Sequence, residues 1–182
     1  GFVGGKLLET KAFRLHFLTH SIGAFDEKAT FHYLLDGEKL KRVETCMEGM
    51  FVNVFDNESV SMVDVTSDDV VDAFIQETHE KYKQELNDIS NDVVGFFTDE
   101  PQYCSLGGSP FPTKIGSYFQ EKYGEDVLEN LGLLFAQKKG YEKFRYRFYK
   151  GCQEFFLQNF AKKLYHWHSD NGLQLTGHYV EE

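Results

Sequence analysis

Two short stretches place ionisable side chains directly after apolar runs. The first is Thr98-Asp99-Glu100-Pro101-Gln102-Tyr103, which follows Asn91 to Phe97. The second is Thr176-Gly177-His178-Tyr179-Val180-Glu181-Glu182, which follows Leu173 to Leu175. A carboxylate at the carboxyl end of a strand is well placed for proton transfer, since strand ends in βα architectures carry the working residues. Side chains on an extended chain alternate between faces, so Asp99 and Glu100 are expected to point apart, with one aimed at any given ligand. Glu100 is the candidate acid, and Asp99 is the candidate for structural hydrogen bonds. The alternative is that both carboxylates begin a loop and cap backbone N–H groups.

Positioning those residues requires strands. The run Asn91 to Thr98 is short and continuously apolar, as in strands covered on both faces, and Pro101 should end it. Met50 to Phe55 and Val60 to Val65 also read as strands. Thr66 with Asp69 resembles a capping box, and Val71, Phe74, Ile75, Thr78, Tyr82 and Leu86 form one helical stripe of about five turns. Glu77, His79, Glu80 and Lys81 lie between them as a solvated face. Thr113 to Tyr123 is expected to be a helix closed by Gly124. A short helix over Glu125 to Phe135 and a long one over Tyr141 to Asp170 follow. The inward stripe of the long helix runs through Phe144, Phe148, Cys152, Phe155, Phe156, Phe160, Leu164 and Trp167. Before residue 50, alternating runs around Asp36-Gly37 predict a hairpin with a type I′ turn inside an antiparallel meander. His16, His20 and His32 read as surface-facing residues of those strands. The alternation strand, helix, strand, helices, strand after residue 50 implies right-handed parallel units.

The composition narrows the function classes. The formal charge is −10, from 19 Lys plus Arg against 29 Asp plus Glu. That argues against nucleic acid or an anionic membrane surface as partners. Hydrophobic residues make up 41% and aromatics 16%, enough for a packed core. No apolar run approaches the roughly 18 residues of a membrane span. Cys46, Cys104 and Cys152 are widely spaced, with no Cys-x-x-Cys pair. Reduced thiols are expected, which favours a cytoplasmic setting. No phosphate loop, His-Glu-x-x-His or Gly-x-Ser-x-Gly motif occurs. His166 and Asp170 share a helix face but suit a helix C-terminus. Neither a metal nor a cofactor is expected.

Val93-Val94-Gly95-Phe96-Phe97-Thr98-Asp99-Glu100-Pro101 resembles the fourth barrel strand of retaining clan-A glycoside hydrolases, where a strand ends in Asn-Glu or a variant. Lys122-Tyr123-Gly124, Phe144-Arg145 and Thr176-Gly177-His178 follow in an order similar to glycoside hydrolase family 42. The Phe-Thr-Asp-Glu-Pro form with Gly-His-x-x-Glu also resembles bacterial proteins related to the family 106 rhamnosidases. The resemblance covers about residues 50–182. It implies that Glu100 is the proton donor to the glycosidic oxygen and that Asp99, Tyr103, His178 and Glu181 bind the sugar. Asp99 departs from the usual Asn, and an ionised carboxylate can only accept hydrogen bonds.

The expected architecture is α/β: an antiparallel β meander over 1–49 and a partial (β/α) TIM barrel over 50–182. A complete barrel needs about 250 residues. The chain is therefore expected to be a section of a bacterial glycoside hydrolase that cleaves a plant or host-derived oligosaccharide. On that reading it is inactive alone, with the carbohydrate, the rest of the parent chain and further copies of itself as partners. The competing readings are a non-catalytic carbohydrate-binding or interaction module, and a metal-dependent phosphohydrolase using Asp99 and Glu100.

Overall fold

The computed structural model describes residues 13–103 and 107–178, the side chains of 60 and 61 excepted. The chain forms two compact units. The described residues 16–58 and 107–152 make one; 13–15, 59–103 and 153–178 make the other.

The first unit is built on β1 (Arg14–Gly23), β2 (Phe31–Asp36), β3 (Lys39–Val43), β4 (Phe51–Val63) and β6 (Ser109–Pro110), in the order β3-β2-β4-β1-β6. β2 pairs antiparallel with β3 and with β4, and β1 pairs antiparallel with β6. The hairpin closes on Asp36↔Lys39, so Gly37 and Glu38 are its two loop residues. Only Gly37 has positive φ, at 54°. The turn thus carries glycine at its first central position, the pattern of a type II′ rather than a type I′ turn.

Residues 50–65 do not form two parallel strands. They form β4, an antiparallel strand at the centre of the five-stranded sheet. Phe51, Val52, Asn53 and Val54 are all buried, whichever face they point to. A continuous apolar run reports that both faces of a strand are covered, and a central antiparallel strand meets that condition as well as a parallel one. The only parallel pairing among the described residues is a two-stranded sheet of β5 (Gly95–Asp99) and β7 (Gln174–His178). The protein is therefore mixed α/β with mostly antiparallel sheet, and the expected partial TIM barrel is not its fold.

Helix α4 (Ile115–Tyr123) ends at Gly124 in the left-handed conformation, as its sequence predicts. Two 3₁₀ turns, Val127–Glu129 and Leu131–Leu134, replace the helix expected there. Asp126 caps the first of them by accepting from the Leu128 N–H. Tyr33 crosses the core to donate its hydroxyl proton to the Leu128 carbonyl at 2.6 Å. Phe119, Phe144 and Phe148 form a buried ring cluster in the same unit. Burying one such ring contributes about 1.5–3 kcal/mol.

In the second unit the stripe over residues 71–86 is split. Helix α1 (Asp68–Glu77) and helix α2 (His79–Glu85) meet at Thr78, whose hydroxyl donates to the Phe74 carbonyl. A short α3 (Ile89–Asp92) precedes β5. The long aromatic helix is α5 (Tyr141–Phe155), most of which belongs to the first unit, followed in the second by a π-helical stretch (Phe156–Ala161) and α6 (Lys162–Asp170). Its buried residues include Phe144, Phe148, Cys152, Phe156, Phe160, Leu164 and His168, all four apart. On a regular α-helix such a row precesses by about 40° per step. The wider π turns hold it closer to one face. Val71, Ile75, Phe156, Phe160 and Leu164 form the core of this unit.

Gly132 lies against Tyr33: a Cβ there would sit 2.7 Å from the ring. Gly132→Ala is expected to lower the unfolding free energy by about 1–3 kcal/mol through overpacking. Gly116→Ala, on α4 with nothing within 4 Å of the added Cβ, should hold or raise stability. Urea denaturation of both variants checks the contrast.

Candidate functional site

The site begins with two glycines. In β5–β7 the register pairs Gly95 with Gln174, Thr98 with Gly177 and Asp99 with His178. A Cβ on Gly95 would lie 2.1 Å from the Gln174 carbonyl oxygen, and one on Gly177 would lie 2.0 Å from that of Thr98. Both contacts are with backbone, which cannot swing away. Gly177 also has φ of 137°, a conformation side chains rarely adopt. The strand ends are joined further by the Glu100 N–H donating to the His178 carbonyl at 3.0 Å.

This pairing brings Asp99, Glu100 and His178 together. His178 Nε2 lies 3.3 Å from Asp99 Oδ1, and His178 Nδ1 lies 3.8 Å from Glu100 Oε1. The expectation that the two carboxylates point apart fails for a local reason. Glu100 has φ of 41°, the only positive value at a non-glycine among the described residues. Its backbone leaves the extended conformation, so both carboxylates face one imidazole. One ligand atom from each of the three residues fits within 4.8 Å of the others. Glu100 is partly buried, with 38% of its side chain exposed, and His178 and Asp99 are exposed, at 52% and 73%. The trio can exchange protons with a ligand or hold a divalent cation.

Tyr103 is placed elsewhere. Its ring packs on Phe156, with centroids 5.1 Å apart, against the hydrophobic core of the unit. Glu181 lies outside the described residues. Asp99 also borders an apolar cleft of about 490 Å³ whose lining includes Phe74, His79, Tyr82, Phe96 and Phe97. Phe97 is exposed and turns its ring edge-on to His178 at 5.6 Å.

Sequence reasoning set His79 on a solvated face, yet it is 5% exposed. The break at Thr78 starts a new helix and turns the residue inward. His79 stacks on Phe96 at 4.7 Å and meets the His168 ring edge-on at 5.1 Å. The Thr78 hydroxyl, already donating to Phe74, accepts the His79 Nδ1 proton. His168 donates from Nδ1 to the Leu164 carbonyl, which leaves its buried Nε2 without a partner. Burial, then the neighbouring His168, push the pKa of His79 down to about 4, against a smaller opposing effect of Glu80. His168 is thus a core residue, separate from the His166 and Asp170 face.

Comparison with protein-family models, with curated proteins and with solved structures finds no match.

Two outcomes follow from this geometry. Gly177→Ala should break the β5–β7 pairing, lower stability by about 2 kcal/mol or more, and speed amide exchange at Thr98 and Glu100. His79 stays neutral in the fold down to about pH 4, whereas the unfolded chain takes up that proton near its ordinary value of 6.5. Its contribution is complete above 6.5 and is lost as pH falls towards 4. Between pH 7.5 and 4.5 the native chain should therefore lose about 2–3 kcal/mol more than His79→Gln, measured by chemical denaturation.

Proposed function

We propose that these residues belong to a glycoside-cleaving hydrolase in which Glu100 is the proton donor. The observation that supports this reading is the convergence of Glu100, Asp99 and His178 at the carboxyl ends of two adjacent parallel strands, beside an open cleft. Glu100 gives its proton to the glycosidic oxygen as the C–O bond breaks, and is reprotonated from water before the next turnover. Asp99 accepts hydrogen bonds from sugar hydroxyls, and the exposed Phe97 offers a surface for the C–H face of the ring.

Hydrolysis needs a second carboxylate across the scissile bond, about 5–5.5 Å away for retention or about 6.5–9.5 Å for inversion. Asp99 does not meet this need, because its oxygen and that of Glu100 converge within 4.8 Å on the same imidazole. On this reading the second carboxylate is supplied by a residue other than Asp99 and Glu100.

The diagnostic is leaving-group dependence on the complete protein that carries these residues. Glu100→Gln should lower kcat/KM by about 10²–10⁴ for substrates whose leaving group needs protonation. It should spare dinitrophenyl glycosides, whose leaving group departs as the anion. An equal loss on both substrate types, or no loss, overturns the assignment.

The three converging donors also favour a second reading, a divalent-cation centre. A rise in melting temperature with Mn²⁺, Ca²⁺ or Zn²⁺ that disappears in His178→Ala and in Asp99→Asn would support it. A carboxylate held by the cation is not available as the proton donor.

A further inference from the structure

The unit built on the five-stranded sheet holds a second cleft, of about 470 Å³, with its own ionisable pair. We infer that this cleft, between the His16–Asp56 pair and the start of helix α4, binds a neutral polyhydroxylated ligand of sugar size. The inference is independent of the role of Glu100 and rests on different residues.

His16 lies on β1 and Asp56 on β4. Both are half-buried, and His16 Nδ1 lies 3.1 Å from Asp56 Oδ1. An ionised carboxylate only accepts, so His16 Nδ1 donates the proton of this hydrogen bond and the ring's Nε2 is left for a ligand. Asp56 is fixed from behind, its N–H donating to the Thr30 hydroxyl at 3.0 Å. The β1 backbone also holds the opposite wall, because the Phe111 N–H donates to the His16 carbonyl at 2.9 Å. Phe111 is braced edge-on against Phe31.

The lining decides the ligand class. The polar groups are His16, Asp56, Thr113, Gln120 and Asp126. Asp56 and Asp126 each spend one oxygen on a protein donor and keep the other. With the hydroxyl and the amide these groups form an acceptor-rich rim, so the ligand must bring several donors. Among the described residues no Lys or Arg lines the cleft, which disfavours an anion. The remainder of the lining is apolar, chiefly Phe111, Ile115 and Val127. A ligand that matches both parts has many hydroxyls on one edge and a C–H face on the other, which describes a pyranose. The volume falls within the roughly 300–1,000 Å³ of small-molecule sites.

Gly116 makes the idea testable without touching the polar groups. It lines the cleft on an exposed helical turn, and an added Cβ meets nothing within 4 Å. The experiment is an NMR titration of the ¹⁵N-labelled chain with neutral methyl hexopyranosides, and separately with butylamine and spermidine. The expected result is saturable shifts of the Asp56, Gly116 and Leu128 amides with at least one hexoside. Those shifts should be lost in Gly116→Trp, weakened about tenfold in Asp56→Asn, and unchanged in Gly116→Ala and in Glu100→Gln. Gly116→Ala keeps the fold and the opening, so it separates blockage from misfolding. Binding of the amines with no hexoside response would overturn the inference in favour of a cation site. So would the absence of saturable shifts with any hexoside, or hexoside shifts confined to Gly177 and His178.

Discussion

The parallel approach of β5 and β7 leaves no room for a side chain at Gly95 or Gly177, since a Cβ at either would meet a carbonyl oxygen of the other strand. The Asp99–Glu100–His178 site depends on that contact. It sets Asp99 opposite His178, lets the Glu100 N–H reach the His178 carbonyl, and leaves both carboxylates around one imidazole. Backbone-to-backbone contact is rigid, so the glycines set the site's dimensions more firmly than any of its side chains. The positive φ at Glu100 costs on the order of 1–3 kcal/mol, a strain that persists only where the surroundings hold it.

Around this contact the unit is held by aromatic and imidazole rings rather than by ion pairs. His79, Phe96, Trp167 and His168 meet ring to ring. Phe96 belongs to β5 itself, so the cluster anchors the strand that carries Asp99. Each imidazole has its Nδ1 proton committed to a protein oxygen. Charged pairs such as Lys163 with Asp68 lie nearer the surface, where they contribute little.

The other unit uses a different economy. Asn53 is a buried polar residue in the central strand, and its amide is consumed locally: Nδ2 donates to the Ala24 carbonyl and Oδ1 accepts from the Asp26 N–H. A buried amide satisfied on both sides fixes the turn beside it instead of forming a site. His16 differs in that Asp56 engages only one ring nitrogen, and the pair opens on a cleft.

Local chemistry made much of this legible from residue types alone. The Asp36-Gly37 hairpin, the glycine stop after Tyr123, the aromatic row from Phe144 to Leu164 and the end of a strand just before Pro101 each depend on a few neighbouring residues. The carboxylate pair and His178 stood out for the same reason, as ionisable groups next to apolar strands. Strand direction did not, because Phe51 to Val54 report burial on both faces and not which way the neighbour runs. Nor did the inward turn of His79, which follows from a helix break at Thr78, or the shared orientation of Asp99 and Glu100, which follows from one backbone angle. Sequence alone determined the hairpin around Gly37 and the helices closed by Gly124 and Gly172, because turn chemistry and propensity act over a few residues, but not the 3₁₀ turns over 127–134 or the break at Thr78. Only the tertiary structure decided which strands pair, and so which side chains meet, because pairing depends on close contacts between residues such as Thr98 and Gly177 that lie far apart in the chain.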